Sequence, residues 1–155
     1  MAKGYWIMKA EPSEFGIADL ARVGESLWDG VRNYQVRNMF RDDMRAGDLA
    51  LMYHSNTEVI GIVGEMRIVK PSEVDPTQFV PGHKYYDVKS TSDNPRWLGP
   101  VVSYVRTFPR VVTLAELKSD EAFANLPFVK KGNRLSVIPV TKEEYQAIVK
   151  LATKK

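Results

Sequence analysis

The chain opens on a short apolar run, Tyr5-Trp6-Ile7-Met8-Lys9, which predicts a first strand stopped by Pro12. From Ile17 to Arg22 the spacing turns helical, with Gly24 placed as a stop. A better helix is predicted from Asn33 to Arg45. There Val36, Phe40 and Met44 recur every four residues as one buried stripe, and Gly47 ends the run. Two apolar stretches follow, 48–54 and 59–69, around the polar turn Ser55-Asn56-Thr57-Glu58. Their aliphatic and aromatic content predicts an antiparallel hairpin. Gly61 and Gly64 inside the second strand predict a bulge or a close backbone approach, either of which helps a small sheet to curl.

The periodicity then lapses. Residues 70–97 carry Pro71, Pro76, Pro81 and Pro95 among many polar positions and read as a long surface excursion, of the kind that is functional or else mobile. Val101 to Phe108 predicts another strand and Leu135 to Val140 the last. Thr113-Leu114-Ala115-Glu116 and Thr141-Lys142-Glu143-Glu144 both have capping-box spacing, in which the Thr hydroxyl and the Glu carboxylate satisfy free backbone donors at a helix start. The second of them opens a terminal helix through Tyr145, Ile148 and Val149. The order of elements lacks the βαβα alternation of a doubly wound sheet, so the fold class is α+β with a small, curled, mostly antiparallel β-barrel and flanking helices.

Composition narrows the picture. A length of 155 residues suits one domain, 1–155, with a single substantial core. With 22 Lys plus Arg against 19 Asp plus Glu, the net charge of +3 permits contact with a polyanion without requiring it. The chain has no cysteine, which removes disulfides, thiolate nucleophiles and cysteine zinc sites together. Two histidines, His54 and His83, are too few for a histidine-rich metal centre. No run approaches the roughly 20 apolar residues of a membrane helix, and no hydrophobic signal core precedes the first strand, so a cytoplasmic location is expected.

The most informative stretch is Trp28-Asp29-Gly30-Val31-Arg32-Asn33-Tyr34-Gln35-Val36-Arg37-Asn38, with Tyr53-His54-Ser55-Asn56 further on. Aromatic faces, amides, a hydroxyl and guanidinium groups suit a flat heteroaromatic ring gripped on faces and edges, with a phosphate nearby. Asp-Gly after Trp28 predicts a turn that leaves one indole face open; Tyr34 and Trp97 are weaker stacking candidates. Asn33 and Asn56 carry the donors and acceptors that match a base edge, and Ser55 and Ser136 each add a hydroxyl. Asn33 equally suits a helix cap, and Asn56 more simply serves the hairpin turn.

Arg37, Arg41 and Arg45 fall at four-residue spacing on one helix face, and Arg32 extends the row. Such a row follows a phosphate backbone, or is a solvated face neutralised by Asp42, Asp43 and Asp48. Lys130, Lys131 and Arg134 form a second basic cluster with the same two readings. Catalysis has little support. His54 and Ser55 are adjacent in a strand and so point apart, while Glu11, Asp29 and Lys9 are acid–base types without an obvious pairing. No nucleophile elbow, phosphate-binding glycine loop or HExxH motif is present.

These motifs together resemble the EVE domain, a member of the PUA-like superfamily that includes YTH domains. The resemblance runs from Tyr5–Pro12, through Trp28–Asn38, Tyr53–Asn56, Gly61–Gly64, Asp75–Phe79, Tyr85–Asp87 and Asn94–Trp97, to Arg134–Val137. It implies a curled barrel with flanking helices and a pocket for a modified nucleobase of the methylated cytosine or adenine type. By position, Trp28, Asn33 and Tyr34 belong to the pocket region, with Lys9, Ser55, Asn56 and Ser136 on neighbouring strands or turns. Where the family's first motif often has Ser after the Lys, this chain has Ala10, and the hydroxyl is missing. The expected function is a non-catalytic, cofactor-free reader of a modified base in DNA or RNA, with Arg32, Arg37 and Arg41 on phosphates. The alternatives are a sensor of a free nucleobase, nucleoside or other small heteroaromatic compound and, less favoured, a nucleic-acid-processing enzyme.

Overall fold

A computed structural model describes residues 4–126 and 135–154 of the chain. The basic cluster Lys130, Lys131 and Arg134 lies outside the described residues. The described strands are β1 (Tyr5–Ala10), β2 (Glu25–Leu27), β3 (Leu49–His54), β4 (Gly61–Val74), β5 (Leu98–Thr113) and β6 (Val137–Val140). Helices α1 (Ile17–Val23), α2 (Tyr34–Asn38), α3 (Leu114–Ser119) and α4 (Lys142–Thr153) flank them. The strands form one curled sheet in the order β2-β5-β4-β3-β1-β6. Among the described strands only β1 and β3 run parallel; the sheet is curled like a barrel, and its ladder ends at β2 and β6 rather than closing.

Side-chain alternation splits the core over the two faces of this sheet. Trp6 and Met8 of β1 join Ala50 and Met52 of β3 on one face, against α1 and α2. Ile7, Leu51 and Tyr53 point the other way, against Leu117 of α3 and Tyr145 and Ile148 of α4. Both cap hydrogen bonds expected for α4 are present: the Glu144 amide donates to Thr141 Oγ1 at 3.0 Å, and the Thr141 amide to Glu144 Oε1 at 2.9 Å. A buried link ties α4 to the sheet, where Tyr145 donates to Glu65 Oε2 at 2.6 Å and Arg106 Nε to Oε1 at 2.9 Å.

The predicted hairpin is β3 and β4, and its glycines do both things expected of them. The β3–β4 register slips between Met52 and Tyr53, opposite Gly64 and Ile62. A Cβ on Gly61 would lie 2.2 Å from the Val112 carbonyl oxygen, and one on Gly64 would lie 2.6 Å from Ile17 Cδ1. Pairing of β4 with β5 slips again between Ile62 and Gly64, leaving Phe108 to Val111 bulged out; Pro109, which lacks an amide donor, sits in that bulge.

Several sequence expectations need correction. The helix expected over 33–45 stops as an α-helix at Asn38 and continues as a π-helical turn, Met39–Asp43, where the Met44 amide reaches Met39 O at 2.9 Å. The stripe Val36, Phe40 and Met44 is still fully buried. The helix ends there, however: Met44 is already extended (φ −75°, ψ 143°), so Arg45, the last of the expected arginine row, lies beyond it. Strand β4 takes in the first residues of the expected excursion, and β5 is longer at both ends than 101–108. At α3, Thr113 caps as expected through the Glu116 amide at 3.1 Å, but the Glu116 carboxylate binds Arg110 instead of closing the box. No helix among the described residues is long and apolar enough to cross a membrane.

Candidate functional site: a cleft between the Trp28 turn and the Tyr85 loop

One cleft of about 640 Å³ opens beside the end of β1, within the size range of small-molecule pockets. Lys9 and Ala10 of β1, Glu14 and Phe15 of the following loop, and Ser55 and Ser136 form one part of its wall. Leu27 to Arg32 form another, and His83 to Tyr85 a third. The mixture is aromatic and polar, with both signs of charge.

The Trp28 turn is held from several directions. The Trp28 amide donates to Pro100 O at 2.7 Å, and the Gly30 amide to Asp75 Oδ2 at 2.8 Å. Gly30 has φ +82°, and a Cβ there would lie 2.6 Å from the Tyr85 ring, so only glycine fits between the turn and that ring. Trp28 itself is packed with Met8, Val31 and Phe40 in the core cluster and also borders the cleft.

Asp75 organises the opposite wall. Its fully buried carboxylate accepts from the Gly30 amide, the Thr77 amide at 2.8 Å and Arg32 at 3.0 Å. Burial alone would raise its pKa, but hydrogen bonds from Thr77, Gly30 and Arg32 outweigh that and hold it below the ordinary value. Gln78, also fully buried, donates to the carbonyls of Asp75 and Trp97 and accepts from the Arg96 and Trp97 amides. The expected excursion is therefore pinned to the domain by a satisfied polar network. Tyr85 lies over Arg32, and its hydroxyl and Lys84 both meet the Glu14 carboxylate across the cleft mouth.

Of the residues singled out from sequence, the fold brings Lys9, Trp28, Arg32, Ser55 and Ser136 to this cleft. Partial burial lowers the pKa of Lys9, whose ammonium lies 5.8 Å from the Tyr53 ring centre. Ser55 donates to Ala10 O at 3.5 Å. Asn33, Tyr34, Asn56, Arg37 and Arg41 are not among the lining residues. Asn33 caps α2 by accepting from the Val36 amide at 3.1 Å, and Asn56, with φ +52°, makes the hairpin turn. Tyr34 stacks on Trp97 at 4.7 Å, while the Trp97 indole N–H donates to Asp87 at 2.7 Å.

The arginines are largely committed within the chain. Arg32 directs all its N–H groups at Asp75, Thr77 and the carbonyls of Val31 and Tyr85. Arg37 lies over Tyr34 and bonds Asn38 and the Arg96 carbonyl; Arg41 pairs with Asp42. Asp48, counted from sequence among the neutralising surface acids, is instead buried and accepts from the Gly4 and Arg45 amides and the Trp6 indole.

Sequence reasoning passed over Glu14, named Asp75 and Tyr85 only within family motifs without a site role, and saw Asp29 as a turn residue and an unpaired acid. Asp75-Pro76-Thr77 carries a local signal, since an Asp whose side chain caps the next turn is a known turn chemistry, but nothing local says that its other oxygen reaches Gly30.

The comparisons with known proteins agree with one another. The sequence matches the EVE domain family profile over residues 4–151. Human thymocyte nuclear protein 1 is 38% identical over 97% of this chain and 74% of its own length. A Pseudomonas syringae protein superposes with a TM-score of 0.92 at 45% identity, over 96% of this chain and 99% of that one. The human THYN1 protein in complex with 5-methylcytosine-containing DNA superposes with a TM-score of 0.91 at 38% identity, over 99% of each chain.

Proposed function

The chain belongs to the EVE domain family, and from that premise we propose that it is a non-catalytic module holding a modified nucleobase, of the methylated-cytosine type, extruded from a DNA strand into the cleft. The observation that carries this reading is the human THYN1 structure with 5-methylcytosine-containing DNA, which shares the fold over 99% of both chains. The cleft of this chain has a mixed aromatic and polar lining suited to a base, and a volume that admits one. In this reading Trp28 supplies a stacking surface, and Lys9, Ser55 and Ser136 supply polar contacts to the base edges.

The energetics are compatible with a reader of moderate affinity. Extruding a base costs a few kcal/mol, and stacking on an aromatic ring returns ~1–3 kcal/mol. A buried methyl adds only ~0.8 kcal/mol, so methyl contact alone gives weak discrimination. Absence of turnover is supported by the fate of the adjacent His54 and Ser55. The His54 ring accepts from the Ile17 amide at 3.2 Å, and the Ser55 hydroxyl faces Ala10 O, so the two make no dyad.

A second reading, a sensor of the free base or nucleoside, is favoured by one observation: Arg32, Arg37 and Arg41 are engaged within the chain rather than arrayed for a strand. Calorimetry on a panel separates the two. The panel holds cytosine, 5-methylcytosine, adenine and a methylated adenine, as free nucleosides and within short DNA and RNA oligonucleotides. Binding that requires the oligonucleotide, prefers 5-methylcytosine and weakens with salt supports the reader. Equal binding of the free nucleoside, with no salt dependence, replaces it with the sensor.

A further inference from the structure

Any reader of 5-methylcytosine meets a discrimination problem set by the ligand itself. Thymine has the same ring outline and the same 5-methyl group, and differs from 5-methylcytosine in carrying a carbonyl at position 4 and an N–H at position 3, where 5-methylcytosine carries an amine and a bare ring nitrogen. Stacking and methyl contact therefore cannot tell the two apart. The difference is read by hydrogen bonding along the edge that carries position 4 and N3, and at the 4-position an acceptor without a donor favours the amine over the carbonyl.

Asp29 is placed for this task. It lines the cleft between Trp28 and Gly30, open to solvent, and no hydrogen bond or ion pair joins its carboxylate to another described residue. Of the other cleft carboxylates, Glu14 is already engaged by Lys84 and Tyr85, and Glu11 follows β1 on a different part of the wall from the Trp28 turn. The backbone on both sides of Asp29 is fixed by the bonds from Trp28 to Pro100 and from Gly30 to Asp75, so the carboxylate is presented from a rigid turn. Partial enclosure by the cleft, with Asp75 nearby, raises the pKa of Asp29, while His83, a hydrogen bond from the residue's own backbone amide and Arg32 pull the other way. A ligand donor at the carboxylate relieves the cost of that enclosure.

We propose that Asp29 is the specificity-determining residue that separates 5-methylcytosine from thymine, accepting a hydrogen bond from the 4-amino group and repelling the 4-carbonyl. This rests on the base-reading function proposed above. A base docked in the cleft strips water from the carboxylate. The amine of cytosine replaces that water, whereas the carbonyl of thymine leaves two acceptors facing each other.

The test uses the full chain and oligonucleotides that differ at one position, placed opposite an abasic site so that extrusion costs the same in each. That position holds 5-methylcytosine, thymine or 5-methylpyrimidin-2-one, which keeps the methyl and lacks the 4-amine. The wild type is expected to bind 5-methylcytosine about tenfold or more tighter than either of the others. The isosteric Asp29→Asn, whose amide can donate to a carbonyl, is expected to bring the 5-methylcytosine-to-thymine ratio within about threefold at unchanged melting temperature. A wild-type protein that binds the amine-less base as tightly as 5-methylcytosine overturns the assignment without any variant. So does an Asp29→Asn protein that keeps the wild-type ratio. Failure of the wild type to bind any of these oligonucleotides is a different result: it removes the base-reading function, and the role of Asp29 with it.

Discussion

On the face of the sheet away from the cleft, Ile7, Leu51, Ile62 and Val112 meet Phe123, Tyr145 and Ile148 in an aliphatic and aromatic layer covered by α4. On the cleft face the core is rich in methionine, with Met8, Met44, Met52 and Met66 packed around Trp6, Trp28 and Phe40. Methionine fills irregular space with an unbranched, adaptable side chain. The shape on this side is set instead by polar anchors: Asp48 beneath the first strand, and Asp75 and Gln78 beneath the Trp28 turn. One face is defined mainly by apolar packing, with the Tyr145–Glu65 bond as a polar tie. The other is shaped by a few buried carboxylate and amide groups that fix backbone amides, among them the Gly30 amide at the cleft.

That contrast can be broken most sharply at Asp75. Asp75→Ala leaves Arg32 and the Gly30 and Thr77 amides without their acceptor, and is expected to cost about 3–5 kcal/mol in chemical denaturation and to abolish ligand binding. On the far face, Ile148→Ala is expected to cost about 2–5 kcal/mol by leaving a cavity, while the folded fraction binds ligand with unchanged affinity. Equal loss of binding in the two variants would dissolve the distinction between the faces.

Gly30→Ala sharpens it from the cleft side. The left-handed backbone costs a non-glycine residue roughly 1–2 kcal/mol, and the added methyl drives into the Tyr85 ring. The expected signature is a modest loss of stability with a large loss of affinity, read by a melt and a titration on the same sample. Thr141→Ala removes the α4 cap and is expected to cost about 1 kcal/mol with no change in binding.

The smallest effect is a pH dependence. Burial lowers the pKa of His54 below its ordinary 6.5, with Asp19 partly opposing, and the neutral ring accepts the Ile17 amide at the start of α1. The unfolded chain therefore binds this proton more readily than the folded one, so the contribution is complete above pH 6.5 and is lost as pH falls below it. Asp75 also has a lowered value, but its ordinary value is 3.8, and its contribution persists until pH falls below that. A stability difference between wild type and His54→Asn that shrinks on acidification from pH 6.5, while the Asp75 contribution holds, is expected in denaturation curves taken across that interval.

Much of this was legible in the chain as written. The Val36, Phe40 and Met44 stripe, the hairpin around Asn56 and the double cap at Thr141 follow from short-range rules, because each depends on neighbours within a few residues; Gly61 and Gly64 signalled a close approach, but not that Val112 and Ile17 are what they meet. The capping box at Thr113 reads identically in sequence and is only half made, because Arg110 claims the Glu116 carboxylate. A local rule cannot weigh a competing partner whose approach is set elsewhere in the fold. The arginine row falls short for a related reason: the helix ends before Arg45, and Arg32, Arg37 and Arg41 are taken by partners within the chain.

What the sequence determined by itself was the inventory: strands and helices, a cysteine-free single chain, an EVE domain pattern, and a set of residues able to grip a flat ring. The tertiary structure decided which of them share a space. Lys9, Trp28, Ser55 and Ser136 come from separate elements and meet at one cleft, while Asn33 and Tyr34, close neighbours of Trp28 in the chain, turn to a helix cap and to Trp97. Asp75 is 45 residues from Gly30 and yet holds the turn on which Asp29 is presented. Periodicity and capping act within a few residues, so a sequence displays them directly. A cleft wall assembled by long-range hydrogen bonds exists only once the sheet has brought its parts together.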